Sequence, residues 1–340
     1  MIFIALAAVL ITSLGAPLLF KPLLHRLGVV DIPNNRSSHS WPVIRGMGLA
    51  PLFATVIGYS ILFVGARDQW APALLITVVS VSVSAAFLGL IEDLRGVRVA
   101  VRGGIQLAIG FAGAAAVVVL TGAPLWLVPL SAVGVAGYIN VANFMDGIDA
   151  ISGLHAIVVG STYALVGLML REQWLVIAGV ILALSFAGFL PWNLIRGGMF
   201  LGDVGSYLLG GGVGIIAVTA IARGVPPIAV LGPVLIYLAD AGGTLLRRVL
   251  RRERWHEAHR SHVYQRLAMS GLSHVEVSLI VTGASACTGA LGLFGALMPN
   301  AWLLAVVLLL LFVAGYFSLG AVFARRYRRR CPTGKKVDIR

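Results

Sequence analysis

The stretch "NVANFMDGIDAISG", residues 140–153, sets Asn140, Asn143, Asp146 and Asp149 three apart in a chain that holds only 13 acidic residues. If the segment is helical, that spacing places the four polar groups on one slowly rotating stripe. Gly147 and Gly153 would allow a break or the close approach of a ligand. Further acids stand in "FLGLIEDLRGV" (Glu92 and Asp93), "MFLGDVGS" (Asp203) and "IYLADAGG" (Asp240). A basic run, "WHEAHRSHVYQR", puts His256, His259 and His262 at three-residue spacing among arginines. Carboxylate oxygens suit Mg²⁺, which keeps several waters and bridges to substrate phosphates. Arginine and donor histidines bind phosphate oxygens. Together these residue types point to phosphoryl transfer, which needs positioning and charge neutralisation more than covalent machinery. A plainer reading exists for each group: Glu92 and Asp93 could simply pair with Arg95 and Arg98, and loop histidines are often merely solvated.

The elements that must position these residues are membrane spans. The chain is 59% hydrophobic and 11% charged with a mean hydropathy of +0.95, outside the soluble range. Uncharged apolar stretches long enough to cross a hydrocarbon core fall near 1–20, 47–65, 72–91, 103–120, 124–142, 151–170, 174–193, 207–222, 224–242, 275–297 and 301–323. Period-2 alternation of the barrel type is absent. The expectation is an all-α polytopic membrane protein of about 10–11 transmembrane helices, a single domain over residues 1–340.

Orientation follows from Lys and Arg, because basic loops resist translocation. The loops near 21–46, 92–102, 142–150, 194–206 and 243–274 and the tail 324–340 hold 23 of the 26 Lys and Arg. These face the cytoplasm in this reading, which places the N-terminus in the periplasm and the C-terminus in the cytoplasm. The first span, followed rather than preceded by positive charge, reads as an uncleaved anchor. The net charge of +13 is read as this orientation bias with added attraction for anionic lipid and phosphorylated substrate, and no nucleic-acid partner is expected. The acids lie on the basic side or within a turn of it. A carboxylate at a span centre costs roughly 2.5–3.5 kcal/mol and marks function by default. An ion-coupled transporter is the rival from another class, but it predicts acids near the midplane and an inverted repeat. Gly210 and Gly214 form a GxxxG for close helix approach, and Ser273 with Glu276 reads as a capping box.

The motifs carry a resemblance. "NVANFMDGIDAISG" resembles NxxNxxDGxDGL, "FLGDVGS" resembles F-M-G-D-x-G-S, and "VDIPNNRSSHSWPVIRGMGLA" is similar to D-x-P-x-x-R-x-x-H-x-x-P-x-x-R-G-G. These are patterns of the polyprenyl-phosphate N-acetylhexosamine-1-phosphate transferases. The resemblance implies transfer of N-acetyl-aminosugar-1-phosphate from a UDP-N-acetyl-sugar to undecaprenyl phosphate in the bacterial inner membrane, releasing UMP, with Mg²⁺ or Mn²⁺. It implies Asp203 as metal ligand and Asp93 acting on the lipid phosphate or helping to position the metal, with Glu92 beside it where the family has a first Asp. Asp146, Asp149, Asn140 and Asn143 fall in the nucleotide and active-site motif, Asn193 and Phe200 would line the uridine pocket, and His259 and His262 would contact the diphosphate. Arg36, His39, Arg45 and Arg260 would bind substrate. Glu92, Met47 inside the Gly-Gly of the first loop, and "HEAHRSHVYQRL" in place of a His-His-His run depart from the peptidoglycan enzymes. Together they resemble the O-antigen-initiating branch; GlcNAc or MurNAc-pentapeptide chemistry is the alternative within the family. A homodimer is also expected.

Overall fold

The computed structural model describes residues 1–31, 42–65, 71–195, 198–253 and 261–330, the last stretch by backbone alone beyond Phe323. Helices dominate: α1 (Ile2–Arg26), α2 (Leu49–Gly65), α3 (Pro72–Arg95), α4 (Val99–Thr121), α5 (Leu127–Met145), α6 (Ile151–Leu170), α7 (Gln173–Leu194) and α8 (Gly202–Ala222) come first. Then follow α9 (Pro227–Leu231), α10 (Leu235–Leu250), α11 (Val263–Met269), α12 (His274–Leu297) and α13 (Trp302–Arg330). Among the described residues, ten helical stretches are long and apolar enough to cross a membrane, with α9 and α10 counted as one and joined through a 3-10 turn at Gly232–Val234. The α2 helix, at 17 residues, is a shorter apolar helix. The protein is a multi-pass membrane protein of the expected all-α class.

The span ends shift by several residues from the sequence reading, and two of the shifts bear on the site. The eighth begins at Gly202 rather than near 207, so Asp203 sits in its first turn instead of before it. The ninth runs on to Leu250, because beyond Asp240 the helix turns amphipathic and carries Arg247 and Arg248 in its last turn; Pro233 accounts for the break lower down.

The most deeply buried span is α8, which packs against α3, α5 and α4. Gly210 of α8 lies against the α5 backbone at Ile139, and Gly214 against Val135, the close approach expected of the GxxxG. The capping box opening α12 is present, with Ser273 and Glu276 satisfying one another's backbone N–H groups. Because successive spans alternate in direction, the ends of α1, α3, α5, α7 and α10 meet the starts of α2, α4, α6, α8 and α12 at one end of the bundle. There, a short antiparallel pair, β1 (Val30–Asp31) and β2 (Val43–Ile44), is continued by Phe200, whose N–H donates to Ile44 and whose carbonyl accepts from Met47.

Candidate active site

The centre of this face is Asp93, at the end of α3. Its carboxylate is fully buried. It accepts hydrogen bonds from the backbone N–H groups of Asp203 (3.1 Å) and Val204 (2.9 Å), and from Arg45 Nε at 2.6 Å. The first N–H groups of a helix have no intrahelical acceptor and carry the positive end of its dipole. Asp93 therefore serves as a cap lent to α8 by another helix. Gly202 makes this approach feasible: its φ is +73°, and a Cβ there would lie 2.7 Å from Asp93 Oδ2 and 2.6 Å from the Gly46 nitrogen.

Arg45 bridges Asp93 to Asp203, reaching Oδ2 of the latter at 3.4 Å. Burial works against its charge, but the two carboxylates outweigh that and raise its pKa further. The other oxygen of Asp203 accepts from Asn143 Nδ2 at 2.6 Å, and that amide also donates to Ser206 at 3.1 Å. Asp203 stays about one-fifth exposed while Asp93 is closed off. Of the two, only Asp203 presents an oxygen to an incoming ligand.

The polar stripe of residues 140–149 is broken. Asn140 and Asn143 lie on α5, Asp146 caps its end, and Asp149 stands in the loop before α6. Asp146 accepts from Ser152 at 2.6 Å. Burial pushes its pKa up to about 7, and the nearby Asp203, Asp93 and Asp149 push in the same direction against the Ser152 hydrogen bond. Asp149 pairs with His274 Nδ1 at 2.9 Å, and its carbonyl accepts from Ser278. At Gly147 a Cβ would strike the Tyr264 hydroxyl, which donates to the Phe144 carbonyl at 3.0 Å. That contact docks α11 on the loop. Asn193 accepts from the Ala150 N–H (2.6 Å) and donates to Met199 (3.0 Å), stapling this loop to the segment that carries Phe200.

His262 is the N-cap residue of α11 and is buried. Its ring lies between Phe144 and Tyr264, with centroids 6.4 and 5.8 Å away. Below it, Asp240 accepts from the N–H groups of Val263 (2.8 Å) and Tyr264 (3.2 Å) and from the Tyr316 hydroxyl (2.8 Å), with His262 Nδ1 at 3.4 Å.

The structure thus brings together Asp93, Arg45, Asp203, Asn143 and Asp146, with Asp149 on the same loop. Glu92 turns away to pair with Arg102 at 3.1 Å, and Asn140 gives its amide to Gln106 (2.6 Å) and the Ala136 carbonyl (2.8 Å). Arg36, His39, His259 and Arg260 lie outside the described residues. Sequence reasoning assigned no role to Ser152, Ser206, Tyr264 or His274. Ser206 was findable, since it follows Asp203 by three residues; the partners of the others come from distant helices and leave no local signal.

No group of three or more His, Cys, Asp or Glu side chains forms a ready metal cage among the described residues. Mg²⁺ does not require one, since one or two carboxylates and substrate phosphates suffice. Asp203, Asp93 and Asp149 all lie within electrostatic reach of Asp146, and Asp203 keeps a partly exposed carboxylate, so the site gathers negative charge that a bound cation would offset. The residues present fit the ion.

Residues 75–221, from α3 to α8, match glycosyl transferase family 4. The chain is similar to a probable undecaprenyl-phosphate N-acetylglucosaminyl 1-phosphate transferase of Bacillus subtilis (strain 168), 25% identical over 301 residues, covering 82% of this chain and 81% of the relative. It is 29% identical over 313 residues to a decaprenyl-phosphate N-acetylglucosaminephosphotransferase of Mycobacterium tuberculosis (strain ATCC 25618 / H37Rv), covering 77% and 74%. A phospho-N-acetylmuramoyl-pentapeptide-transferase of Desulforudis audaxviator (strain MP104C) is 28% identical over 250 residues, covering 62% and 73%. The family match spans Asp93, Asn143, Asp146, Asp149 and Asp203, and with these relatives it supports a polyprenyl-phosphate sugar-1-phosphate transferase.

Proposed function

We propose that this chain transfers an N-acetyl-aminosugar-1-phosphate from a UDP-sugar to undecaprenyl phosphate, releasing UMP. The observation that carries this reading is Asp203, a partly open carboxylate fixed from both sides by Asn143 and Arg45 at the water-facing end of a buried span. A lipid and a nucleotide can both reach such a position. Transport would call for acids near the midplane, whereas these gather at the helix ends.

In the reaction, an oxygen of the lipid phosphate attacks the sugar-bearing phosphorus of the nucleotide. The phosphoanhydride bond breaks, and its electron pair leaves with UMP. Asp203, with Asp146 beside it, would hold Mg²⁺. When bound, the ion neutralises charge on the diphosphate and steadies the leaving phosphate. Arg45 and Asn143 fix Asp203, Asp93 fixes the first turn of α8 beneath it, and Asn193 holds the loop that carries Asp146. His262 would reach the diphosphate by opening from its aromatic box.

The site face is read as cytoplasmic and the membrane as the bacterial inner membrane. The departures at Glu92, Met47 and the histidine run favour initiation of a lipid-linked surface polysaccharide of the O-antigen kind. The test is purified protein with undecaprenyl phosphate, Mg²⁺ and a panel of UDP-N-acetyl sugars. Release of UMP is expected. Stoichiometric UDP would mark an ordinary glycosyltransferase and end this reading.

A further inference from the structure

One turn beneath the carboxylates is a second polar group that the reaction as described does not use. On α4, Gln106 follows Arg102 by four residues; on α8, Tyr207 follows Asp203 by four. Each lies on the face of its predecessor, about 6 Å deeper into the bundle at 1.5 Å per residue. Both side chains are completely buried, yet Gln106 Nε2 and the Tyr207 hydroxyl have no hydrogen-bond partner among the described residues. An unsatisfied buried polar group costs about 1–3 kcal/mol; α4 packs on α8, and Tyr207 lies within electrostatic reach of Arg102, so the two atoms point to a ligand that completes them.

The surroundings identify its chemistry. Gln106 is held through its carbonyl by Asn140, one turn from the Asn143 that binds Asp203, which leaves the amide N–H free to donate. Arg102 above it is oriented by Glu92. A guanidinium, an amide N–H and a phenol O–H can all donate, and together they suit an anion, with Glu92 Oε2, buried beside Arg102, an acceptor in the same group. A nucleotide arriving from water has no need to descend below Asp203. An amphiphile whose tail remains in the bilayer must bring its charged head through this depth.

We infer that Gln106 and Tyr207 hydrogen-bond the phosphate head of the polyprenyl acceptor and hold it beneath Asp203. This deepens the function proposed above and rests on it.

The test uses full-length protein in lipid nanodiscs with two variants, Gln106→Leu and Tyr207→Phe; the second removes a single oxygen, which spares the packing. Each is expected to raise KM for undecaprenyl phosphate about tenfold, equivalent to about 1.4 kcal/mol, with KM for the UDP-sugar within about twofold of wild type. Equal rises in both constants, a loss confined to kcat, or no change would overturn the assignment and leave bridging water as the partner of these atoms. A second arm needs no turnover: native mass spectrometry of wild type and variants with undecaprenyl phosphate and with undecaprenol. Loss of the phosphate-bearing lipid alone supports the subsite, while equal loss or retention of both refutes it. If wild type releases no UMP from any UDP-sugar, the proposed reaction fails, and this binding arm decides the subsite by itself.

Discussion

Two helix starts in this protein use one device for different ends. At α8 the fully buried Asp93 accepts the N–H groups of Asp203 and Val204; at α11 the fully buried Asp240 accepts those of Val263 and Tyr264. In both, a carboxylate from another helix supplies acceptors that the helix start lacks, where the dipole favours negative charge. Their other partners differ. Asp93 is paired with a cation, Arg45, which extends to Asp203. Asp240 is completed by a phenol, Tyr316, and an imidazole in an aromatic box. The first device presents a carboxylate among charges; the second holds a histidine among rings. A cap fixes where a helix begins, and its remaining partners decide which chemistry that start displays.

The largest effect should come from the residue the first cap displays. Asp203→Asn is expected to lower UMP release by about 10³-fold, the loss of several kcal/mol of charge stabilisation, with Mg²⁺ affinity weakened and the melting temperature in detergent nearly unchanged. Wild-type Mg²⁺ dependence in that variant would move the metal role elsewhere.

Next come the caps themselves. Asp93→Ala leaves Arg45 partly buried without its main partner, and breaking such a pair costs about 3–5 kcal/mol. Both variants also leave two helix-start N–H groups unsatisfied at about 1–3 kcal/mol each; Asp240→Ala adds the Tyr316 hydroxyl but strands no arginine, so the smaller loss is expected. Denaturant unfolding of both variants ranks them, and the reverse order would break the distinction between a charged and an aromatic cap. Within the second region, Tyr316→Phe should cost about 1.5 kcal/mol, the low end for a hydrogen bond to a charged group, and reduce turnover less than His262→Ala does. Equal turnover in all three proteins would return α11 to a packing role.

The last effect concerns pH. The Asp146 pKa is raised to about 7 from 3.8, chiefly by burial. Between these values the folded protein holds a proton that the unfolded chain has released, so this contribution to stability falls as pH rises through that window. Melting of metal-free protein at pH 5 and pH 7.5 should show the decline, and Asp146→Asn should flatten it. An unchanged slope in the variant would assign the decline to another group.

Much of the fold was legible because the bilayer demands about twenty apolar residues in a row, a local property. Two helix ends at the site were not: Asp203 enters α8 because Asp93, 110 residues away, caps it, and α10 continues as an amphipathic helix past its last apolar run. The site was legible as a set of residue types more than as a set of roles. Asn140 sits in the same motif as Asn143 but one turn deeper, and there it binds Gln106. Glu92 adjoins Asp93, yet neighbours on a helix point about 100° apart, and it pairs with Arg102 instead.

By itself, the sequence determined the all-helical membrane class, the span positions to within a few residues, the gathering of acids at one end, and Asp203, Asn143, Asp146 and Asp149 as candidates. Hydropathy, charge bias and motif spacing are written along the chain and need no partner to be read. Tertiary structure alone decided that Asp93 is buried as a cap while Asp203 stays open, that Arg45 is spent on two carboxylates, that His262 is boxed by Phe144 and Tyr264, and that Gln106 and Tyr207 lie unsatisfied beneath them. Burial and hydrogen-bond partnership depend on which helices lie side by side, and in a bundle of apolar helices that choice is made by packing between residues far apart in sequence.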